Sequence, residues 1–289
     1  MSVALQRVAE EKTFTAWGLT LAARYWPGEG MPIVALHGWL DNANSFAPLA
    51  EHLPNPVLAM DFAGHGLSAH RPVGVATHFL DHVRDVLALL DDAGLEKCIL
   101  LGHSMGAGIA SLFASTFPER VEKLVLVEGI GPMSGEPGES PQQLRRSIDE
   151  TVALAGKQKP YYQAFAEAVT ARTRGFGGLS EACSALLCER GLVQTEQGWT
   201  WRSDARLRIA SSLRMTESQV EAFLHAIQAP TLLVVGEQGM GGNGMFDHRT
   251  HWIASLQVVR LPGRHHLHME SPQLVAKSIN EFIAVTADS

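Results

Sequence analysis

The stretch KCILLGHSMGAGIASLF, residues 97–113, decides the fold. A short apolar run leads into Gly102-His103-Ser104-Met105-Gly106, and a Gly- and Ala-rich helical pattern follows at once. In a strand–turn–helix of this kind the sharp turn exposes the serine oxygen, and the two glycines avoid clashes with the strand and the helix. The G-x-S-x-G spacing alone is a weak signal, because a helix N-cap would also place a serine there. The apolar run on one side and the helix on the other favour the exposed turn.

Apolar runs and amphipathic segments alternate on both sides of this stretch. Two strands at 13–18 and 19–26 turn near Gly18. Further buried strands are predicted at 31–38, 55–64, 97–104 and 122–129, and helices at 45–53, 78–94 and 105–117. Strands that alternate with helices predict an α/β fold, with a mostly parallel sheet flanked by helices on both faces.

The pattern changes after this region. Residues 131–141 contain three Gly and three Pro, which is typical of a linker. Mostly helical segments follow as far as about residue 228, with a short hairpin or extended segment at 198–207. Strand patterns then return at 229–239 and 258–263, before a last helix at 271–285. We therefore expect a core of residues 1–132 and 228–289, with a helical cap of residues 133–227 inserted over the carboxyl ends of the strands.

Composition and charge exclude several other classes of protein. The chain has 289 residues, of which 46% are hydrophobic, and a formal net charge of −7, so a disordered chain is excluded and nucleic-acid binding is disfavoured. Three cysteines predict neither a disulfide framework nor a metal site. The uncharged stretch 98–118 is long enough to span a membrane, but its glycines favour the strand–turn–helix. No signal peptide is evident, so a cytoplasmic protein is expected. The sequence does not indicate an oligomeric state.

A second motif lies at the end of an earlier predicted strand, where His37-Gly38-Trp39 forms a turn. An enzyme that transfers acyl groups needs backbone N–H donors aimed at the developing oxyanion. Met105, the residue after Ser104, would supply one donor, and Trp39 would supply the other. A His-Gly pair by itself is more typical of an ordinary turn.

Together these motifs resemble the α/β-hydrolase superfamily. HGW (37–39), DFAGHGLS (61–68), GHSMG (102–106) and GRHHLHMESP (263–272) occur in the order and at the spacings of that family. HGWLDNANSF and LVLVEGIGP also resemble the group of serine hydrolase-like and mesoderm-specific transcript proteins. The resemblance implies an α/β-hydrolase fold with an inserted helical cap, and a catalytic triad that needs neither a metal nor an organic cofactor.

The resemblance also points to a general base. The family places its histidine after the last strand, seven residues before a proline that begins the final helix. His265 precedes Pro272 by seven residues and is therefore our choice, with His266 and His268 as competitors. A histidine-rich tract could also bind a metal, but carboxylate or cysteine partners at ligand spacing are missing.

The acid of the triad departs from the family pattern. Many relatives carry an aspartate in a GExD stretch, whereas this chain reads GEQG at 236–239. Glu128, at the end of LVLVE, is the best replacement, because a carboxylate there lies beside the nucleophile strand and would orient His265. Asp247 is the alternative acid, and Glu237 is a further competitor. Glu128 could instead be a strand-end residue that bonds to nearby backbone.

The identity of the nucleophile sets the expected reaction. Dehalogenases and epoxide hydrolases need an aspartate where Ser104 stands, so both activities are disfavoured. A serine forms an acyl-enzyme that water opens, which predicts hydrolysis of a small or medium carboxylic ester or a thioester. A ligand-binding protein without turnover and a cofactorless lactone or C–C hydrolase are the alternatives. Packing between cap helices is the favoured role for the aromatic residues Tyr161, Tyr162, Phe165, Phe176, Trp199 and Trp201.

Overall fold

A computed structural model describes residues 7–154 and 156–285. Residues 1–6 and 286–289, at the ends of the predicted core, and residue 155, at the end of a predicted cap helix, lie outside the described residues. In the described part, the strands are β1 Glu10–Ala16, β2 Leu19–Trp26, β3 Ile33–Leu36, β4 Val57–Met60, β5 Cys98–His103, β6 Val121–Val127, β7 Leu192–Thr195, β8 Gly198–Trp201, β9 Thr231–Gly236 and β10 Leu256–Leu261. The helices are α1 Ala47–Ala50, α2 Asp81–Asp92, α3 Met105–Thr116, α4 Ser140–Leu154, α5 Phe165–Thr173, α6 Glu181–Gly191, α7 Glu217–His225, α8 Leu267–Glu270 and α9 Pro272–Ala284.

Eight of these strands form one sheet in the order β1-β2-β4-β3-β5-β6-β9-β10. The pairs β1–β2 and β2–β4 are antiparallel, and the remaining neighbours are parallel. The sheet architecture predicted from the alternation of strands and helices is therefore confirmed. The strands β7 and β8 form a separate antiparallel hairpin, and the predicted extended segment at 198–207 supplies its second strand.

Helices cover both faces of the sheet, because side chains alternate along each buried strand. On β5, Leu100 packs into the cluster that contains α2 and α3, whereas Ile99 and Leu101 pack into the cluster that contains α1 and α9. The central strands β3 and β5 are buried along their whole length, which explains why they read as continuous apolar runs. The predicted helix at 45–53 is shorter than expected: a 3₁₀ turn, Ala43–Phe46, precedes α1, and Asn42 caps that turn.

The segment between β6 and β9 contacts the loops that follow β3 and β4. Asn42 donates a hydrogen bond to the carbonyl oxygen of Leu187 at 2.9 Å, and the Arg190 guanidinium lies 2.8 Å from the buried Asp61 carboxylate. The helix α7, which belongs to the same segment, instead packs Val220 and Leu224 into the sheet core beside α3. Within the described ranges, no helix combines the length and the apolar composition that crossing a membrane requires.

Candidate active site

Ser104 lies in the sharp turn that joins β5 to α3. Its backbone has φ 53° and ψ −113°, and its N–H donates to the carbonyl oxygen of Val127 at 2.9 Å. Neither flanking glycine has room for a side chain. A Cβ on Gly106 would lie 2.0 Å from the Leu36 carbonyl oxygen, and a Cβ on Gly102 would lie 2.4 Å from the Gly106 carbonyl oxygen. The Ser104 side chain makes no capping bond to α3. Ser104 therefore occupies the N-cap position of α3, but its side chain does not cap the helix.

Three side chains that are far apart in the sequence meet at this turn. The Oγ of Ser104 lies 3.0 Å from Nε2 of His265, and Nδ1 of His265 lies 3.1 Å from Oε2 of Glu128. Ser104 follows β5, Glu128 follows β6, and His265 comes after β10. Because these three strands run parallel, their carboxyl ends lie at one edge of the sheet. The topology thus explains why the three residues share one site.

The Glu128 carboxylate is fully buried and accepts hydrogen bonds from two backbone N–H groups. Its Oε1 accepts the N–H of Gly236 at 2.7 Å, and its Oε2 accepts the N–H of Met240 at 2.7 Å. Glu128 itself has φ 56°, a left-handed conformation that is uncommon for a residue with a side chain. The predicted alternative, a strand-end residue bonded to backbone, describes part of its environment, but the same carboxylate also reaches His265.

Gly239 leaves room for the Glu128 carboxylate. A Cβ built on Gly239 would lie 2.3 Å from Oε2 of Glu128 and 2.4 Å from its Oε1. An aspartate at position 239 and the glutamate at position 128 would therefore compete for one space beside His265. In this chain Glu128, which follows β6, occupies that space, and residue 239 is a glycine.

The competing acids and histidines lie elsewhere in the fold. Asp247 is exposed and pairs with Arg260 at 2.7 Å, and Glu237 is also exposed. His266 lies 3.2 Å from the Asp41 carboxylate, and His268 hydrogen-bonds with Ser45 at 2.6 Å. Among these candidates, Glu128 is the carboxylate and His265 the imidazole that the fold brings to Ser104.

The two residues expected to bind an oxyanion through their backbone N–H groups follow neighbouring strands of the sheet. Met105 begins α3, and Trp39 follows β3, which pairs directly with β5. In the described part of the chain, neither N–H donates to an acceptor. The indole of Trp39 lies over the inserted segment, where its Nε1 donates to the carbonyl oxygen of Leu207 at 2.8 Å. Within the described residues, no intramolecular bond therefore competes with a bound oxyanion for these two N–H groups.

A second cluster of titratable groups lies beside His265, and no sequence motif predicts it. Burial and the neighbouring imidazoles of His268, His265 and His266 lower the pKa of His103 well below its ordinary value. The buried Asp41 carboxylate accepts bonds from His266 and, at 2.6 Å, from Arg172. Although burial opposes its ionisation, His266, the Arg172 guanidinium and His103 hold the pKa of Asp41 well below its usual range. Asp41 lies within HGWLDNANSF, but its partners come from distant parts of the chain.

This cluster also bears on metal binding. Oxygen and nitrogen atoms of Asp41, His103 and His266 lie within 4.8 Å of one another. The sequence spacing offers no carboxylate partner, but the fold brings Asp41 to His266 from the loop after β3. The Arg172 guanidinium already neutralises that carboxylate, so a second cation beside it would be repelled.

The cysteines do not compete with Ser104 as nucleophiles. Cys98, Cys183 and Cys188 are free and buried. Burial raises the pKa of Cys98 to about 12 and that of Cys188 to about 11. A thiolate is the reactive form of cysteine, so neither thiol is a nucleophile at neutral pH.

Known proteins match this chain over most of its length. Residues 31–272 match the sequence model of the family described as alpha/beta hydrolase fold. Serine hydrolase-like protein 2 of Homo sapiens is 32% identical over 309 aligned positions, which cover 96% of this chain and 95% of that protein. A serine hydrolase-like protein of Danio rerio is 27% identical and covers 96% of this chain and 90% of its own length.

Solved structures are similar over nearly the same length. A hypothetical protein from Pseudomonas aeruginosa PAO1 has a TM-score of 0.91 at 40% identity, covering 96% of this chain and 100% of that one. The thioesterase domain from the curacin biosynthetic pathway has a TM-score of 0.85 at 26% identity, covering 94% of this chain and 99% of that one.

Proposed function

This chain belongs to the serine hydrolase-like group of the α/β-hydrolase superfamily, and we propose that it hydrolyses carboxylic esters or thioesters through an acyl-enzyme on Ser104. One observation carries the proposal: His265 lies 3.0 Å from the Ser104 oxygen through Nε2 and 3.1 Å from the Glu128 carboxylate through Nδ1. This is the arrangement of nucleophile, base and orienting acid that acyl transfer requires.

The proposed reaction starts with proton transfer from Ser104 Oγ to Nε2 of His265 as the oxygen attacks the substrate carbonyl. Glu128 accepts the Nδ1–H of His265, which fixes the tautomer and stabilises the imidazolium that forms. The negative charge on the former carbonyl oxygen is stabilised by the N–H groups of Trp39 and Met105.

In the second half of this step, the bond from the carbonyl carbon to the leaving oxygen or sulfur breaks. His265 gives its proton to that atom, and an acyl ester remains on Ser104. Water then attacks the acyl ester with His265 again acting as the base, which releases the acid and restores the serine. Every proton in this cycle moves through Nε2 of His265.

We include thioesters as well as oxygen esters among the proposed substrates, because the similar curacin domain is named a thioesterase. We also propose that residues 133–227 act as a cap that sets substrate access. The contacts of Arg190 with Asp61 and of Arg172 with Asp41 support this role, because both tie the segment to loops at the active edge of the sheet.

Hydrolysis of p-nitrophenyl esters from acetate to decanoate tests this function. We expect turnover by the wild-type protein and none by Ser104→Ala. Ser115→Ala is the matched control, because Ser115 lies on the same helix and its hydroxyl donates to the Leu112 carbonyl oxygen at 2.8 Å. If Ser104→Ala turned over these esters as fast as the wild type, Ser104 would be rejected as the nucleophile. A wild-type protein that hydrolyses neither these esters nor acyl thioesters would favour the ligand-binding role.

A further inference from the structure

Phe176 lies against the proposed base in a way that the sequence did not predict. Its ring centroid is 5.0 Å from that of His265, and the two rings meet at 75°. Phe176 nevertheless leaves 61% of its surface exposed. One part of the ring thus contacts the imidazole, and the rest is open beside it.

The loop that carries Phe176 is shaped to approach the two histidines closely. Gly177 follows it with φ 85°, and a Cβ on Gly177 would lie 2.7 Å from Nδ1 of His266 and 3.2 Å from Cβ of His265. A side chain at 177 would push this loop away from the site. The position of Phe176 therefore depends on the glycine next to it.

Four other aromatic residues of the inserted segment have ordinary packing partners. Tyr162, Phe165, Trp199 and Trp201 pack against a small buried cluster that includes Val169 and Cys188. Within the described residues, Phe176 belongs to none of the hydrophobic clusters. The expectation that these aromatics pack inside the inserted segment holds for the four, but not for Phe176 or for Tyr161, which is 43% exposed.

We propose that Phe176 is the apolar wall of the leaving-group site, where it packs against the alcohol or thiol portion of the substrate. This inference rests on the proposed function. It follows from the proton path: His265 delivers its proton to the leaving oxygen or sulfur, so that atom must lie at Nε2 of His265. The group attached to that atom then extends past the imidazole, where the exposed Phe176 ring stands.

This placement predicts which half of the reaction Phe176 affects. The contact with the leaving group exists only until the bond from carbonyl carbon to leaving atom breaks and the protonated alcohol departs. The acyl-enzyme that remains is the same for every alcohol. Phe176 therefore influences kcat/KM, which reports the steps up to that release, and it does so according to the size of the alcohol.

Two ester series separate the leaving-group side from the acyl side. One series keeps the butyryl group and compares ethyl butyrate with 2-phenylethyl butyrate. The other keeps p-nitrophenol and varies the acyl chain from acetate to decanoate. The variants are Phe176→Ala and Phe176→Leu. Tyr161→Ala is the matched control, because it removes another exposed aromatic ring from the same segment. Thermal melting of each variant verifies that it is folded.

We expect Phe176→Ala to lower the kcat/KM ratio of 2-phenylethyl to ethyl butyrate about 10-fold, since an aromatic group loses its apolar contact. Phe176→Leu should lie between the wild type and Phe176→Ala. The chain-length optimum of the acyl series and the ratios of Tyr161→Ala should stay unchanged.

Other results overturn the inference in distinguishable ways. A shifted acyl optimum with a constant alcohol ratio would place Phe176 on the acyl side. Equal losses for all esters in a folded Phe176→Ala would make the residue structural. A wild-type protein that turns over neither series, and that a fluorophosphonate does not label, would remove the proposed function and the leaving-group site with it.

Discussion

Glu128 holds a buried carboxylate between two backbone N–H donors and one imidazole. The donors of Gly236 and Met240 face one oxygen each, at 2.7 Å, and Oε2 also reaches His265. All of these partners donate to the carboxylate. A side chain of the same shape that carries an N–H donor would face one of them with the wrong polarity.

Glu128→Gln should therefore lower kcat by about 10³- to 10⁴-fold, because a carboxamide disturbs the tautomer of His265 and turns a donor toward a backbone N–H. Asp247→Asn is the control, since Asp247 is exposed and pairs with Arg260. Its kcat should stay within about 2-fold of the wild type. Steady-state hydrolysis of one p-nitrophenyl ester measures both. A large loss in Asp247→Asn with a small one in Glu128→Gln would assign the acid to Asp247.

At the scale of single residues, the sequence predicts a site residue when it lies at a known motif spacing, or when a motif residue is missing and another must replace it. Ser104 stands between its two glycines, His265 stands seven residues before Pro272, and the GEQG stretch draws attention to Glu128. Asp41 and Phe176 carry no such signal. Their importance comes from partners more than 80 residues away, Arg172 and His266 for Asp41 and His265 for Phe176.

At the scale of elements, the turn from β5 into α3 sets the position of Ser104. Gly106 lies directly against β3, where a Cβ would be 2.0 Å from the Leu36 carbonyl oxygen. A backbone oxygen has no alternative rotamer, so a larger residue must displace the strand, the helix or both.

Gly106→Ala should therefore destabilise the protein by roughly 3 kcal/mol, which corresponds to a fall in Tm of about 6–12 °C. Gly138→Ala is the control, because a Cβ on Gly138 meets nothing within 4 Å and its φ is not left-handed. Thermal unfolding monitored by circular dichroism compares them. Equal Tm values for the two variants would show that the turn tolerates a side chain.

Elements differ in how well the sequence predicts them. The strands β3, β5 and β6 follow from short apolar runs because both faces of the sheet are covered. The helix α7 reads as part of the inserted segment, yet it packs with α3, because its apolar stripe identifies a buried face without identifying the partner.

At the scale of the whole molecule, Arg249 links α7 to the chain that follows β6. Arg249 bonds to both Glu217 carboxylate oxygens, at 2.7 and 2.8 Å, and to the carbonyl oxygens of Ile130 and Pro132, each at 2.8 Å. Burial raises the pKa of Glu217, but hydrogen bonds from Arg249, Ser134 and His248 outweigh it and lower that pKa to about 2.

This lowered pKa makes stability depend on pH in one direction. The folded state favours ionised Glu217, so its contribution is complete above the unfolded pKa, about 4.5, and is lost as the pH falls toward about 2. Glu217→Gln should therefore melt below the wild type at pH 6, and the gap should narrow as the pH falls from 4.5. Melting curves between pH 7 and 3 test this. Glu281→Gln, on an exposed part of α9, is the control, and its Tm difference from the wild type should not change with pH. A Tm difference for Glu217→Gln that is constant with pH would contradict this account.

The central claim is that Ser104 is a nucleophile activated by His265, and covalent labelling tests it most directly. Each protein is incubated with a fluorophosphonate, and intact mass and peptide mapping locate the adduct. We predict one adduct on Ser104 of the wild type, none on Ser104→Ala, and labelling of His265→Ala that is slower by orders of magnitude, whereas His266→Ala reacts. An adduct that persists on Ser104→Ala, or a folded wild type that stays unlabelled, would contradict the claim.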